Sequence, residues 1–461
     1  MMMDMNNKVI YFLGIGGIGM SALARFFASK GCTVAGYDRT RSALTSALES
    51  EGIAVHYHDD PSLIPDNVDL AVLTPAVPSS LSELARLKER HIPVLKRAEV
   101  LGMISRSHKS LAIAGTHGKT STTALVTHIL LTANVRLSAF IGGISRNINS
   151  NVVIGSDDDV VVMEADEFDH SFLQLSPFLS IVTSIDPDHL DIYGDYDHLV
   201  ASFNAFVDKT SDNGAAILHE DIPVTTNKPN VTYGLKNADI TATGISIKNG
   251  LTEFEVKINA DNERLALFGG LRDFAGERFS MSLFGNHNVE NALAAIIMCA
   301  TFGIDKDTVK KAVSTFKGVQ RRFDIRVRNE RHVYVDDYAH HPNEIKAALT
   351  TARRVFEGRE LTVVFQPHLF SRTRDFLDGF AQSLSLADRV ILLDIYPARE
   401  QPIDGVSSAA LLEKICCKEK SLCQKDNLLE KIKEINPELI VTMGAGDIDR
   451  FVPDIERMLN E

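Results

Sequence analysis

The hexapeptide Gly115-Thr116-His117-Gly118-Lys119-Thr120 has the residue types of a phosphate cradle. It follows an apolar run at residues 111–114 that reads as a strand, and it opens a helical stretch rich in Thr and Ala. Backbone N–H groups in such a turn, aided by the helix N-terminus, form an anion site. There Lys119 reaches the β- and γ-phosphates and the Thr120 hydroxyl reaches Mg²⁺. The long Walker pattern needs glycine where Ile113 stands, so this is the shortened form G-x-x-G-K-T. Carboxylates fall where a magnesium site needs them. Glu164, with Asp166 and Glu167 close behind, ends "VVVMEADE", and Asp186, Asp188, His189 and Asp191 lie in "SIDPDHLDIYGD". Either cluster alone could be a solvated strand cap; two beside a phosphate loop favour ATP with Mg²⁺. His189 is the atypical member, since Mg²⁺ prefers oxygen donors.

A second glycine-rich stretch comes earlier. Gly14-Ile15-Gly16-Gly17-Ile18-Gly19 fits G-x-G-x-x-G, and Asp38 ends the next apolar run, about where the ribose acid of a dinucleotide fold sits. The fingerprint brings backbone N–H groups against a diphosphate, whichever nucleotide carries it. An NAD-dependent oxidoreductase would use this stretch and leave "GTHGKT" and both acidic clusters without a purpose.

These loops need elements to hold them. Apolar runs "KVIYFLG", "TVAGYD", "AVHYH", "DLAVLTPA" and "IPVLK" alternate with helical patterns at residues 21–30 and 81–90, which implies a parallel doubly wound sheet. A second strand–loop–helix begins after a polar turn near residue 107, with further strands at "DVVVMEAD" and "LSIVTSID". Residues 212–282 alternate in short segments such as "ADITATGISI" and "LTEFEVKI", read as antiparallel strands. A helix is expected over 288–302. From residue 319 a third α/β series runs through "HVYVDDYA", "LTVVFQPH", "RVILLDIY" and "LIVTMGAGD". The divisions are therefore 1–106, 107–318 and 319–461.

Bulk properties narrow the function. A chain of 461 residues exceeds one hydrophobic core. No apolar run approaches the ~20 residues of a membrane span, and "MMMDMNNKVI" lacks the basic flank of a secretion signal, so a cytoplasmic protein without membrane insertion is expected. Cys32, Cys299, Cys416, Cys417 and Cys423 include no C-x-x-C pair and suit a reducing compartment. A net charge of −13 argues against nucleic acid as a partner.

Nine segments taken in order, "GIGGIGMS", "GTHGKTSTT", "EADEFDHSF", "DPDHLDIY", "GNHNVENALAA", "GVQRRFD", "DDYAHHPNE", "FQPHLFSRTRD" and "GAGDI", resemble the Mur ligase family over nearly the whole chain. The resemblance implies a Rossmann-like N-terminal domain for a UDP-linked substrate. It further implies a central P-loop ATPase domain, with a parallel sheet plus a small antiparallel sheet, and a Rossmann-like C-terminal domain. The implied activity joins L-alanine to UDP-N-acetylmuramate at the expense of ATP, by a monomer or homodimer whose domains close on their ligands. By the same resemblance Gly14, Gly16, Gly17, Gly19, Ser21, Asp38 and Thr74 meet the UDP substrate. Gly115, Thr116, His117, Gly118, Lys119 and Thr120 bind ATP, with His287, Asn288 and Asn291 on the adenine side and Arg322 as a further nucleotide contact. Thr120, Glu164 and His189 hold Mg²⁺. Asp337, Tyr338 and His340 surround the incoming alanine, and Lys119, His340 and Arg372 carry the chemistry. His341 and "GAGDI" are left as turns. Many members have a basic residue after the His of "FQPH"; Leu369 stands there, leaving Arg372 or Arg374 to meet an anion. A sister ligase that adds a murein tripeptide is the nearest alternative, but its glycine loop typically departs from "GIGGIGMS". Folylpolyglutamate synthase lacks the N-terminal domain, and a nucleotide-gated binding module would bind ATP without consuming it.

Overall fold

The computed structural model describes residues 6–155, 160–187, 190–248, 250–259, 265, 268–398 and 400–461. The chain forms two compact units, Met1–Lys317 and Gly318–Glu461. Unit one contains two sheets. In the first, strands Ala54–His56, Thr33–Tyr37, Val9–Leu13, Leu70–Leu73 and Val94–Lys96 lie side by side in that order, all parallel. Val9–Leu13 is buried at every position because helices cover both faces, which is why it reads as an unbroken apolar run. The strand order reverses beside it, and the glycine loop leaves its C-terminal end at that switch point.

The second sheet has ten strands around Lys109–Ala114. On one side lie Leu179–Val182, Ala215–His219, Asn230–Gly234, Ile240–Lys248, Leu251–Ile258 and Arg278–Met281; on the other lie Val160–Glu164, Leu137–Ser145 and Ser150–Val153. The expected antiparallel region takes a different form here. Residues 215–219 and 230–234 continue the parallel sheet, and only the last strands turn antiparallel, as an extension of the same sheet. Ala215–Leu218 is buried on both faces, so it lacks the alternation that marks a half-exposed strand. Helices Lys119–Thr132 and Asn286–Phe302 pack together on this sheet. The second starts two residues earlier than its apolar pattern and is buried almost all round.

The two sheets of unit one are fastened through helix Ile18–Ser29, which packs on Leu137–Ser145 and Ser150–Val153. Phe26 and Phe140 meet with ring centroids 5.4 Å apart. Asn151, fully buried, donates to Ile18 O and to Ser21 Oγ and accepts from Arg25 Nη1. Every polar atom of its amide is thereby used, as burial requires.

Unit two is a six-stranded sheet ordered Asp324–Arg328, Val333–Asp337, Leu439–Met443, Leu361–Phe365, Arg389–Leu392 and Glu419–Leu422. Only the first strand is antiparallel. Its core includes Val364, Ile391, Ile440, Ile432 and Ile455. Among the described residues no helix is long and apolar enough to cross a membrane.

Candidate active site

The glycine loop in unit one is held by its own neighbours. Gly14 and Ile15 donate to Tyr37 O, Gly16 donates to Asp38 Oδ2 at 2.8 Å, and Gly17 donates to Gly14 O. Gly14 has φ +84°, and a Cβ there would lie 2.6 Å from Thr74 Cγ2, so glycine is required on both counts. Gly14, Gly16, Asp38 and Thr74 are thus brought together at the C-terminal ends of three adjacent strands. Asp38 braces the loop backbone, a use the ribose-acid expectation did not include. Ser21 is different: it is fully buried, its hydroxyl donating to Ile18 O and accepting from Asn151, and so serves the junction between sheets. Gly19 lies under Arg97, whose Nη1 would sit 2.2 Å from a Cβ at that position.

The phosphate loop leaves Lys109–Ala114, and Gly118, in the left-handed region at φ +82°, caps helix Lys119–Thr132. Thr183 and Ser184, just past strand Leu179–Val182, clamp it. Thr116 N–H donates to Ser184 O, His117 N–H to Ser184 Oγ at 2.9 Å, and Thr183 Oγ1 to Ala114 O at 3.1 Å. Thr116 Oγ1 lies 3.0 Å from Ser184 Oγ and accepts from Asp186 N–H; His117 Nε2 is 3.2 Å from Asp186 Oδ2. Thr183 and Ser184 were not singled out in the sequence. The available signal was their position at a strand end beside the loop.

Lys119 Nζ bonds Glu167 Oε2 at 2.8 Å and Oε1 at 3.0 Å, and donates to Gly115 O. Burial alone would lower the lysine pKa, and Glu167, Asp166 and Glu164 together raise it. Burial pushes Glu167 up, and the Lys119 ammonium pulls against that. Glu164 pairs in register with Ile113 and accepts Gly142 N–H at 2.9 Å, which fixes one carboxylate beside the loop. Thr120 is buried in the first helical turn. Among the described residues no three acidic, His or Cys side chains converge to hold an ion by themselves. Asp188 and His189 lie outside the described residues, as does the side chain of Asp191.

Helix Asn286–Phe302 carries the three residues expected at adenine. His287 is exposed on its first turn. Asn288 is buried and its amide donates to Phe284 O at 2.7 Å, so it secures the turn into its own helix. Asn291 belongs with the phosphate loop: a Cβ on Gly118 would lie 2.4 Å from its Oδ1.

In unit two, Asp337 ends a central strand and accepts N–H groups from Phe323 at 2.6 Å and Ala339 at 2.7 Å. Burial raises its pKa to about 7 despite those bonds and the Arg322 charge. The guanidinium groups of Arg321 and Arg322 sit over the Tyr338 ring at 5.1 and 5.2 Å. His340 Nδ1 is 3.0 Å from Tyr338 O, and its ring lies 6.3 Å from that of His368. Burial lowers His340, and burial with the neighbouring His340 and Arg372 lowers His368 to about 4, so both imidazoles are neutral at pH 7. The Arg372 charge acts on both histidines, whereas Arg374 is committed to Asp375 at 2.7 Å. His341 caps helix Pro342–Val355 with Glu344, a structural role. In "GAGDI" glycine is needed at its first position: Gly444 has φ +143°, and a Cβ there would lie 2.6 Å from the backbone Gln366 O.

Two nucleotide-type loops in unit one and a histidine–arginine cluster in unit two are the parts an ATP-driven ligase requires, and the chain matches such proteins along its length. Family models described as the Mur ligase family catalytic domain, the Mur ligase middle domain and the Mur ligase glutamate ligase domain match residues 9–109, 113–299 and 321–446. The chain belongs to the Mur ligase family. Within it, the chain is 46% identical to UDP-N-acetylmuramate–L-alanine ligase of Christiangramia forsetii, over 99% of each chain. It is 47% identical to the ligase of that name from Flavobacterium psychrophilum, over 98% of each. The crystal structure of UDP-N-acetylmuramate–alanine ligase from Thermotoga maritima superposes with a TM-score of 0.84 at 30% identity, covering 98% of this chain and 99% of that one. A murein peptide ligase from Psychrobacter arcticus shares the Mur ligase fold, with a TM-score of 0.73 at 23% identity and 98% of each chain covered.

Proposed function

We propose that this Mur ligase joins L-alanine to UDP-N-acetylmuramate, with ATP converted to ADP and phosphate, in the assembly of a peptidoglycan precursor in the cytoplasm. The observation that carries the reading is the identity of 46–47% over 98–99% of the chain to ligases of that name. The domain plan proposed with it is 1–106 for the UDP substrate, 107–318 for ATP and 319–461 for the amino acid.

The chemistry follows from the groups available. A carboxylate resists an amine because it is anionic and has no good leaving group. A carboxylate oxygen of the muramoyl group attacks the γ-phosphorus, the bond to the ADP oxygen breaks, and an acyl phosphate forms. The alanine nitrogen then adds to the carbonyl carbon, loses a proton, and the tetrahedral intermediate expels phosphate. Positioning and charge neutralisation supply most of the catalysis. In this reading Lys119 neutralises the transferring phosphoryl group, and the loop from Gly115 to Thr120, with Asn291, cradles the triphosphate. The first turn of helix Ile18–Ser29, positioned by the loop from Gly14 to Gly19 and flanked by Thr74, receives the UDP diphosphate. Asp337, Tyr338, His340 and Arg372 form the alanine pocket, where the neutral His340 is the candidate proton acceptor for the amine. Mg²⁺ would be held by Thr120 and Glu164, an oxygen donor set that fits an ion completing its shell with phosphate and water. Bound there, it would offset charge on the phosphates.

The test is phosphate release from ATP in the presence of UDP-N-acetylmuramate, screened against single amino acids and the murein tripeptide. Turnover with L-alanine is expected, and Lys119→Ala should abolish it while leaving UDP-sugar binding nearly intact. Activity confined to the tripeptide would overturn the reading in favour of a recycling ligase.

A further inference from the structure

The glycine loop has few donors left for a diphosphate. The N–H groups of Gly14, Ile15, Gly16 and Gly17 are already bonded to Tyr37 O, Asp38 Oδ2 and Gly14 O. What remains is the first turn of helix Ile18–Ser29, whose opening N–H groups have no acceptor within the helix. That turn contains no acidic residue.

Against this positive end lies a second positive charge. Arg97 lies across Gly19, whose missing side chain leaves room for the guanidinium: a Cβ there would meet Arg97 Nη1 and would lie 3.2 Å from its Cζ. A guanidinium at a helix N-terminus is electrostatically unfavourable unless an anion sits between them. Its partner is Asp166 Oδ2, 3.1 Å from Nη2, in the segment that follows the ATP-side strand Val160–Glu164. Asp166 is itself tied down, its Oδ1 accepting Phe168 N–H at 3.1 Å. One partly exposed carboxylate uses only part of the guanidinium fork. A diphosphate offers the paired oxygens that arginine binds best.

We propose that Arg97 completes the diphosphate site of the glycine helix, and that Asp166 holds it in reserve by competing with the substrate for the same guanidinium. The inference rests on the reading that this helix receives the UDP substrate. The pair then differs from an ordinary strut between sheets in the sign of one effect: removing Asp166 releases a competitor.

Calorimetric titration of the full-length protein with UDP-N-acetylmuramate separates the cases. Arg97→Met should weaken binding by about tenfold or more, in line with a charge-assisted bidentate contact. Asp166→Asn should tighten it several-fold. Lys96→Met, which breaks the neighbouring surface pair with Asp169 but leaves the charge over Gly19, should change affinity by less than about twofold. If Asp166→Asn weakens binding as Arg97→Met does, the pair is a strut and the proposal fails. Unchanged binding by Arg97→Met also overturns it. If the wild-type protein does not bind the sugar nucleotide, the reading of the loop falls first and takes this inference with it.

Discussion

Replacing Glu167 by Gln tests whether the phosphate-loop lysine depends on a buried counter-charge. The Lys119 and Glu167 side chains are 13% and 2% exposed, and both carboxylate oxygens lie within 3.0 Å of Nζ. Gln keeps the shape and removes the charge, leaving the ammonium with the Gly115 carbonyl as its nearest acceptor. Breaking one side of such a buried pair costs about 3–5 kcal/mol. Unit one spans Met1–Lys317; at about 2.1 cal/mol/K per residue its unfolding entropy is roughly 0.7 kcal/mol/K, so Tm should fall by about 4–7 °C. ATP brings negative charge to the same ammonium, and a ligand that binds the folded state stabilises in proportion to its affinity. Saturating ATP with Mg²⁺ should therefore raise Tm more in Glu167→Gln than in wild type, narrowing the gap. Differential scanning fluorimetry with and without nucleotide reads both numbers. An unchanged Tm without ATP, or a gap that ATP leaves intact, would refute the argument.

Two further outcomes are expected. Asn151→Ala strips partners from Ser21 Oγ, Ile18 O and Arg25 at the buried junction between the sheets; the cost should be about 1–3 kcal/mol, seen as a lower denaturant midpoint. Asp336 is buried in unit two, accepts from Thr442 Oγ1, and has its pKa raised by burial from 3.8 to about 6. A carboxyl with a raised folded pKa binds protons in the native state that the unfolded chain has released, so it subtracts stability as pH rises from about 4 to about 6. Asp336→Asn lacks that loss. Its stability relative to wild type should therefore improve by about 3 kcal/mol across the window and then level off. Urea titrations at pH 4.5, 6 and 7.5 measure it, and a pH-independent difference would exclude it.

What could be read from the sequence was local. "LAIAGTHGKT" shows a strand, a turn with two positive-φ glycines and a helix start within ten residues, and each is written in near-neighbour chemistry. The parallel sheets followed from apolar runs alternating with helical patterns. Residues whose role depends on a distant element escaped: Thr183 and Ser184 clamp a loop 66 to 69 positions away, and Arg97 meets Asp166 across 69. Asn288 and Asn291 show the same limit. Three residues apart on one helix, they look equivalent in sequence, yet one turns back to Phe284 and the other to Gly118.

Leu369 joins the two kinds of information. Its departure from the basic residue common in relatives suggested a lost anion contact, but its backbone supplies a different constraint. Leu369 sits at φ +70° and ψ 137°, a region that side chains other than glycine rarely enter. The surroundings hold it there: its N–H donates to Tyr396 O, and its carbonyl accepts from Thr373 N–H and Thr373 Oγ1. That conformation starts the short helix Phe370–Asp375, which carries Arg372, whose charge acts on the histidine pair, and Arg374, which turns to Asp375. The strain, of order 1–3 kcal/mol, is thus tied to the start of the helix that carries Arg372. Position 369 shapes the pocket through its backbone, so a basic side chain there would add a contact without being what sets the geometry.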